Sequence, residues 1–311
     1  MRIAWRAGVV ACFVFLSVAP AATAVQASSV PMLPPVAPWP AAAASIQSFT
    51  AAATELEARS PLALGETVES IIGASGGTAS VSLVELGGPS PVVWSYNGGE
   101  VFTAASTYKL AALMMLADEV ATGTTGPDGY VCYEDSDYED GWFDDYSDGA
   151  CYTRFELAQR AGLYSDNTAG HMLVRDLGGA DALNAWAAAG GATASVFFTD
   201  NTTTSNDLAA LWTAEAKGKL GGAAAQAWLY PLLTHTATEA GIPAGVASRS
   251  TVVHKTGAID LVENDAALVE SGPNGAYVLT VMTDDLGGDA GWQLIASISA
   301  AVWTFEAARA H

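Results

Sequence analysis

Basic side chains are scarce in this 311-residue sequence: 12 lysines and arginines face 33 aspartates and glutamates, a formal net charge of -21. Phosphate backbones and anionic lipid repel such a chain, which argues against nucleic acid as a partner. Charged residues as a whole make up only 14%, against 50% apolar, so the low-hydrophobicity, high-charge balance of disordered chains is missing and a packed core is expected. Only four histidines occur, without metal-ligand spacing, so no zinc chemistry, metal or cofactor is expected. No internal repeat is present, which excludes repeat architectures. No apolar run is long enough for a stable membrane span.

The apolar stretch that does exist is N-terminal. Arg2 and Arg6 precede Val9 to Val18, and Ala22-Thr23-Ala24 offers a small-x-small cleavage pattern, so residues 1–24 read as a secretory signal. Val9-Val10-Ala11-Cys12 suits lipoprotein processing superficially, but the apolar run continues past Cys12. The mature protein is therefore expected outside the cytoplasm, secreted and free of the membrane. A Pro/Ala-rich spacer follows over 25–43, extended by Pro31 to Pro40, and one domain over 44–311.

Of the three cysteines, Cys12 leaves with the signal, and Cys132 and Cys151 remain as an even pair in an oxidising compartment, expected to join. They bracket an acidic segment from Tyr133 to Asp148. Its Asp135, Asp137, Glu139 and Gly141 partly match a calcium loop, but the glycine falls one place late and no closing glutamate follows, so a solvated acidic flap is the preferred reading.

Good helix formers run from Ala44 to Arg59, with Pro61 read as the stop. Thr78 to Leu86 and Val92 to Tyr96 read as a hairpin, with Val81 and Leu83 on one face. Leu110 to Val120 is apolar nearly all round, as in a buried helix, and Phe155–Gly162, Thr168–Leu177, Ala180–Ala189 and Asn206–Ala216 continue the helical pattern. Strand patterns return at Thr251–Thr256, Asp265–Val269 and Tyr277–Thr283, before a closing helix marked by Leu294, Ile295, Ile298, Val302 and Phe305. The expected fold class is α/β (α+β): one five-stranded antiparallel sheet flanked by N- and C-terminal helices, with an all-helical lobe inserted over about 104–240 and a crevice between the lobes.

Outside the signal there are four lysines: Lys109, Lys217, Lys219 and Lys255. In Ser106-Thr107-Tyr108-Lys109 a serine opening a helix has a lysine one turn on, so the side chains meet and an uncharged amine can take the serine proton. An exposed lysine behind an N-capping serine is the competing reading, against which the apolar flanks speak. Ser165-Asp166-Asn167 begins a later helix, and Lys255-Thr256-Gly257 ends a strand pattern. In order and spacing this triplet resembles the class A β-lactamase and penicillin-binding family of serine acyl-transferring hydrolases. The likeness extends through Tyr152-Thr153-Arg154-Phe155-Glu156-Leu157, Thr168-Ala169-Gly170, Leu177-Gly178-Gly179 and Thr203 to Ala209, covering nearly everything from Ala74 onward.

That resemblance implies a DD-peptidase/β-lactamase-like fold and a role for each motif residue. Ser106 would attack an amide carbonyl and Lys109 accept its proton. The N–H groups of Ser106 and Ala258 would form the oxyanion hole, Ser165 would pass a proton to the leaving nitrogen, and Asn167 would hold the substrate's amide side chain. Lys255 and Thr256 would bind the substrate carboxylate while Gly257 lets the backbone approach, and Asp166 would tie loops together. Arg249 is a weaker candidate for carboxylate binding. His254 should point away from Lys255 by strand alternation, and His171 is read as packed.

The pattern departs from the family at one place. No glutamate occurs between Glu156 and Glu215, and Gly191 to Thr204 is short, so the loop that carries the family's water-activating glutamate is missing. Asp200 in the remnant is a possible but shorter substitute. Three functions follow as expectations: a β-lactam hydrolase with slow deacylation, a D-alanyl-D-alanine carboxypeptidase or related peptidase or esterase, and a non-enzymatic β-lactam sensor or sink. In each the partner is a small molecule and the protein is expected to be a monomer.

Overall fold

The computed structural model describes residues 58–310. The signal, the spacer and most of the helix expected over Ala44 to Arg59 lie outside that range. Pro61 starts a new helix. Helix α1 spans Pro61–Ser75, and Ser60 caps it by accepting from the Ala63 N–H at 3.1 Å. Proline at the first turn has no N–H to leave unpaired and its fixed φ already suits the helix, which is why this position favours initiation.

Strand β1 (Thr78–Glu85) pairs with β2 (Val93–Tyr96) as the expected hairpin, and the chain returns to the same sheet through β7 (Val252–Ile259), β8 (Val262–Val269) and β9 (Tyr277–Asp284). The order is β2-β1-β9-β8-β7, antiparallel throughout. Alternation along the strands splits the core. Val81, Leu83, Leu279 and Val281 face α1 and the closing helix α8 (Asp289–Arg309), whereas Val253, Leu268, Val278 and Met282 face the helical lobe. Each such aliphatic side chain removed from water is worth about 2 kcal/mol before conformational entropy is set against it.

The lobe holds α2 (Tyr108–Thr122), α3 (Arg154–Leu163), α4 (Asn167–Asp176), α5 (Gly179–Ala189), α6 (Ser205–Ala216) and α7 (Gly222–Leu229). Leu110 to Ala117 of α2 are buried all round, so this helix is the lobe's axis. Two short ribbons escape the sequence pattern: β3 (Phe102–Thr103) with β6 (Thr202–Thr203), and β4 (Tyr130–Cys132) with β5 (Cys151–Thr153). The Cys132–Cys151 disulfide closes the second ribbon.

The acidic segment is largely solvent-exposed, as expected, but it is tied to the lobe by ion pairs. Asp137 is 3% exposed and paired with Arg175, while Glu139 pairs with His171 at 2.8 Å. These carboxylates diverge into separate ion pairs rather than converging on a calcium-sized centre.

Candidate active site

Ser106 lies in a single 3-10 turn, Ala105–Thr107, that leads into α2. Ala105 has φ 47, a left-handed conformation that costs a residue with a side chain of order 1 kcal/mol or more. Two asparagines hold it there. Asn201 Nδ2 donates to the Ala105 carbonyl at 3.1 Å and the Asn201 carbonyl accepts from Ala104 N–H at 2.7 Å; Asn264 Nδ2 donates to the Thr103 carbonyl at 2.8 Å. Neither asparagine stands in a recognisable motif. The only trace of Asn264 in the sequence is its place on the strand that pairs with the Lys-Thr-Gly strand, opposite Gly257.

One turn on, Lys109 is completely buried and its Nζ has three partners: Ser106 Oγ at 3.0 Å, the Ser165 carbonyl at 2.6 Å and Asn167 Oδ1 at 2.6 Å. Burial pulls this amine down to about 7, although the Glu139 and Asp166 carboxylates act the other way. Ser165 has φ 60, so its turn is also strained, and it presents Oγ to Lys255 Nζ at 2.8 Å. Burial, helped by Lys109, holds Lys255 well below the usual lysine range.

Gly257 explains how β7 comes so close to Ser106. A Cβ there would stand 2.8 Å from the Ala104 carbonyl and 2.9 Å from the Ser106 and Thr107 nitrogens, closer than side-chain carbons pack. Ser106, Ser165, Asn167, Thr256 and Ala258 line one cleft of about 430 Å³. Every motif residue named from the sequence therefore lies on this cleft or, for Lys109, Lys255 and Gly257, directly against residues that line it.

The disulfide-closed segment completes the wall. Gly141 and Trp142 line the cleft together with Tyr164, Thr238 and Trp292. Asp166 pins the segment down by accepting from Trp142 N–H, Phe143 N–H and Tyr146 Oη at 2.9, 3.2 and 2.6 Å, while also capping α4 at the Ala169 N–H. Asn167 Nδ2 donates to the Asp140 carbonyl at 2.7 Å. Sequence reading gave this segment no place in the site, since its composition shows only acidity.

The weaker candidates lie elsewhere. Arg249 is exposed and does not reach the cleft, and Asp200 is exposed with no contact to Ser106. His171 packs edge-to-face on Phe198. His254 turns away from Lys255 and is buried between Asp265, at 2.9 Å from Nδ1, and Glu239, at 3.1 Å from Nε2. Burial lowers its pKa, but those two carboxylates outweigh burial and lift it to about 9. Among the described residues no carboxylate side chain lines the cleft.

Residues 63–305 match the model of the β-lactamase enzyme family. No curated protein sequence matches the chain. Among solved structures, PBP-A is 26% identical with a TM-score of 0.70, covering 76% of this chain and 94% of its own. A mutant of PBP-A in an acyl-enzyme complex with penicillin G superposes with a TM-score of 0.72 at 26% identity, over 77% of this chain and 94% of its own. An ancestral class A β-lactamase gives 0.67 at 26% identity, over 77% and 98%.

Proposed function

Because this chain belongs to the β-lactamase enzyme family, we propose that it is an exported serine hydrolase that forms an acyl-enzyme on Ser106 with β-lactams and releases the product slowly. One observation carries the reading: the buried Lys109 amine, with a pKa of about 7, lies 3.0 Å from Ser106 Oγ. Two of its three partners are carbonyl oxygens, which only accept. When Lys109 loses a proton, its two remaining N–H bonds stay on the Ser165 and Asn167 oxygens, and the lone pair is left facing Ser106.

Ser106 Oγ then attacks the carbonyl carbon as its proton passes to Lys109. The developing oxyanion is met by the N–H groups of Ser106 and Ala258, each such donor worth about 3 kcal/mol to the transition state. Ser165 Oγ gives its proton to the leaving nitrogen as the C–N bond breaks and takes one in return from the Lys255 ammonium beside it. An incoming carboxylate at Thr256 restores the charge that burial takes from Lys255, so substrate binding and Lys255 protonation are coupled. Water must then cleave the Ser106 ester, and no carboxylate stands in the cleft to activate it. Deacylation is the slow step.

The same absence supports a second reading, a D-alanyl-D-alanine carboxypeptidase, because an ester formed from a flexible peptide leaves room for water that a β-lactam product blocks. The test is intact-mass analysis after mixing with penicillin, alongside turnover of a chromogenic cephalosporin and of a D-alanyl-D-alanine peptide. A persistent adduct with slow cephalosporin turnover is expected. Rapid multiple turnover without adduct contradicts slow deacylation, and D-alanine release far faster than cephalosporin turnover selects the second reading.

A further inference from the structure

Two of the chain's four lysines, Lys109 and Lys255, are buried behind the catalytic cleft. The other two, Lys217 and Lys219, stand exposed at the mouth of a separate cavity of about 560 Å³ that shares no lining residue with that cleft. The cavity lies between α6 and the outer edge of the sheet. Its helical wall is made of small side chains at helical spacing, Ala209, Ala210, Thr213 and Ala214, ending at Lys217. Its sheet wall pairs Val84 of β1 with Val93 of β2, the edge strand. The small residues of the helical wall leave the hollow open, and Val93 is left 78% exposed.

Arg154, Arg160, Arg175 and Arg309 each hold a carboxylate, whereas Arg59, Arg249 and the two lysines at the mouth make no salt bridge among the described residues. Among the described residues no carboxylate lies within 4.0 Å of Lys217 or Lys219, despite the 33 acidic residues in the chain. Thr213 Oγ1, on the wall, is buried without a hydrogen-bond partner. A mostly apolar hollow of this volume, with a few polar groups at one end, has the form of a small-ligand site.

We infer that this cavity binds a small amphiphilic monocarboxylate, its apolar body between Val84, Val93 and Ala210 and its carboxylate between Lys217 and Lys219. The two ammonium groups attract an anionic head, whereas a neutral head gains nothing from them. The site is independent of the chemistry at Ser106.

Calorimetric titration of the purified protein with decanoate tests this, with decanol as the comparison. Saturable decanoate binding is expected, at least tenfold tighter than decanol and weakened by salt. The double substitution Lys217→Gln/Lys219→Gln, at exposed positions, should lower decanoate affinity at least tenfold and leave the rate of Ser106 acylation unchanged. A second variant, Ala210→Leu, narrows the hollow and should weaken decanoate and decanol alike. Equal affinity for decanol, unchanged binding in the double variant, or no saturable decanoate binding would each overturn the proposal.

Discussion

Lys255 Nζ and Ser165 Oγ stand 2.8 Å apart although 90 positions separate them in the chain. The contact joins the strand edge to the helical lobe across the cleft, and in the proposed mechanism it supplies the proton for the leaving nitrogen. Ser165→Ala removes that donor without touching the nucleophile. Acylation by a penicillin is expected to slow by about 10² to 10³, measured by stopped-flow mixing and mass detection. An unchanged acylation rate would show that another group serves the leaving atom.

The pH dependence of acylation follows from Lys109. Burial lowers its pKa to about 7, so the amine is charged and unable to accept a proton below that pH, and neutral above it. The rate constant for acylation should rise with pH and level off above a midpoint near 7. In Lys109→Arg, which stays charged throughout, the titration should disappear along with most of the rate. A flat profile in the parent protein would remove Lys109 as the base.

Most of the fold was legible because its strands alternate and its helices are apolar over long runs: β1, β2, β9, α2 and α8 lie close to where their patterns place them. The three motifs were legible because their residues, Ser106 with Lys109, Ser165 with Asn167, and Lys255 with Gly257, keep fixed spacing within single turns or strand ends. What escaped depends on contacts distant in sequence. Nothing local marks Asn201 or Asn264 as the props of the Ala105 turn, and the segment around Trp142 joins the site only through hydrogen bonds to Asp166. That a helix also begins at Pro61 escaped because a proline can follow one helix and start another, and the Ser60 cap marks the start.

Among the ties that hold the segment carrying Trp142 are the Asp166 carboxylate and the Cys132–Cys151 disulfide. A bridge closing a loop of this length is worth about 3 kcal/mol in the chain-entropy model, so reduction should lower the melting temperature by roughly 6 to 12 °C. Asp166→Ala leaves the Trp142 and Phe143 N–H groups and the Tyr146 hydroxyl without their acceptor, and should make the segment the first site of limited proteolysis. Unchanged melting and unchanged cleavage would mean the segment is held by other contacts.

Glu215 sets a second pH dependence, this one in stability. Burial pushes its carboxyl from the ordinary 4.5 up to about 7, partly offset by the hydroxyl of Tyr230 at 2.7 Å. The folded protein thus keeps a proton that the unfolded chain gives up. This favours folding below about pH 4.5 and is lost as pH rises to about 7, by roughly 3 kcal/mol in all. Glu215→Gln should flatten that part of the stability curve and raise stability at pH 8, as read from urea melts. An identical slope in the variant would assign the dependence to other groups.

The most direct measurement is peptide mapping of the protein after brief exposure to penicillin G, beside Ser106→Ala treated identically. The account predicts one adduct of the intact antibiotic mass on the peptide containing Ser106, and none in the variant. Labelling that survives in Ser106→Ala, or that maps to any other residue, would contradict it.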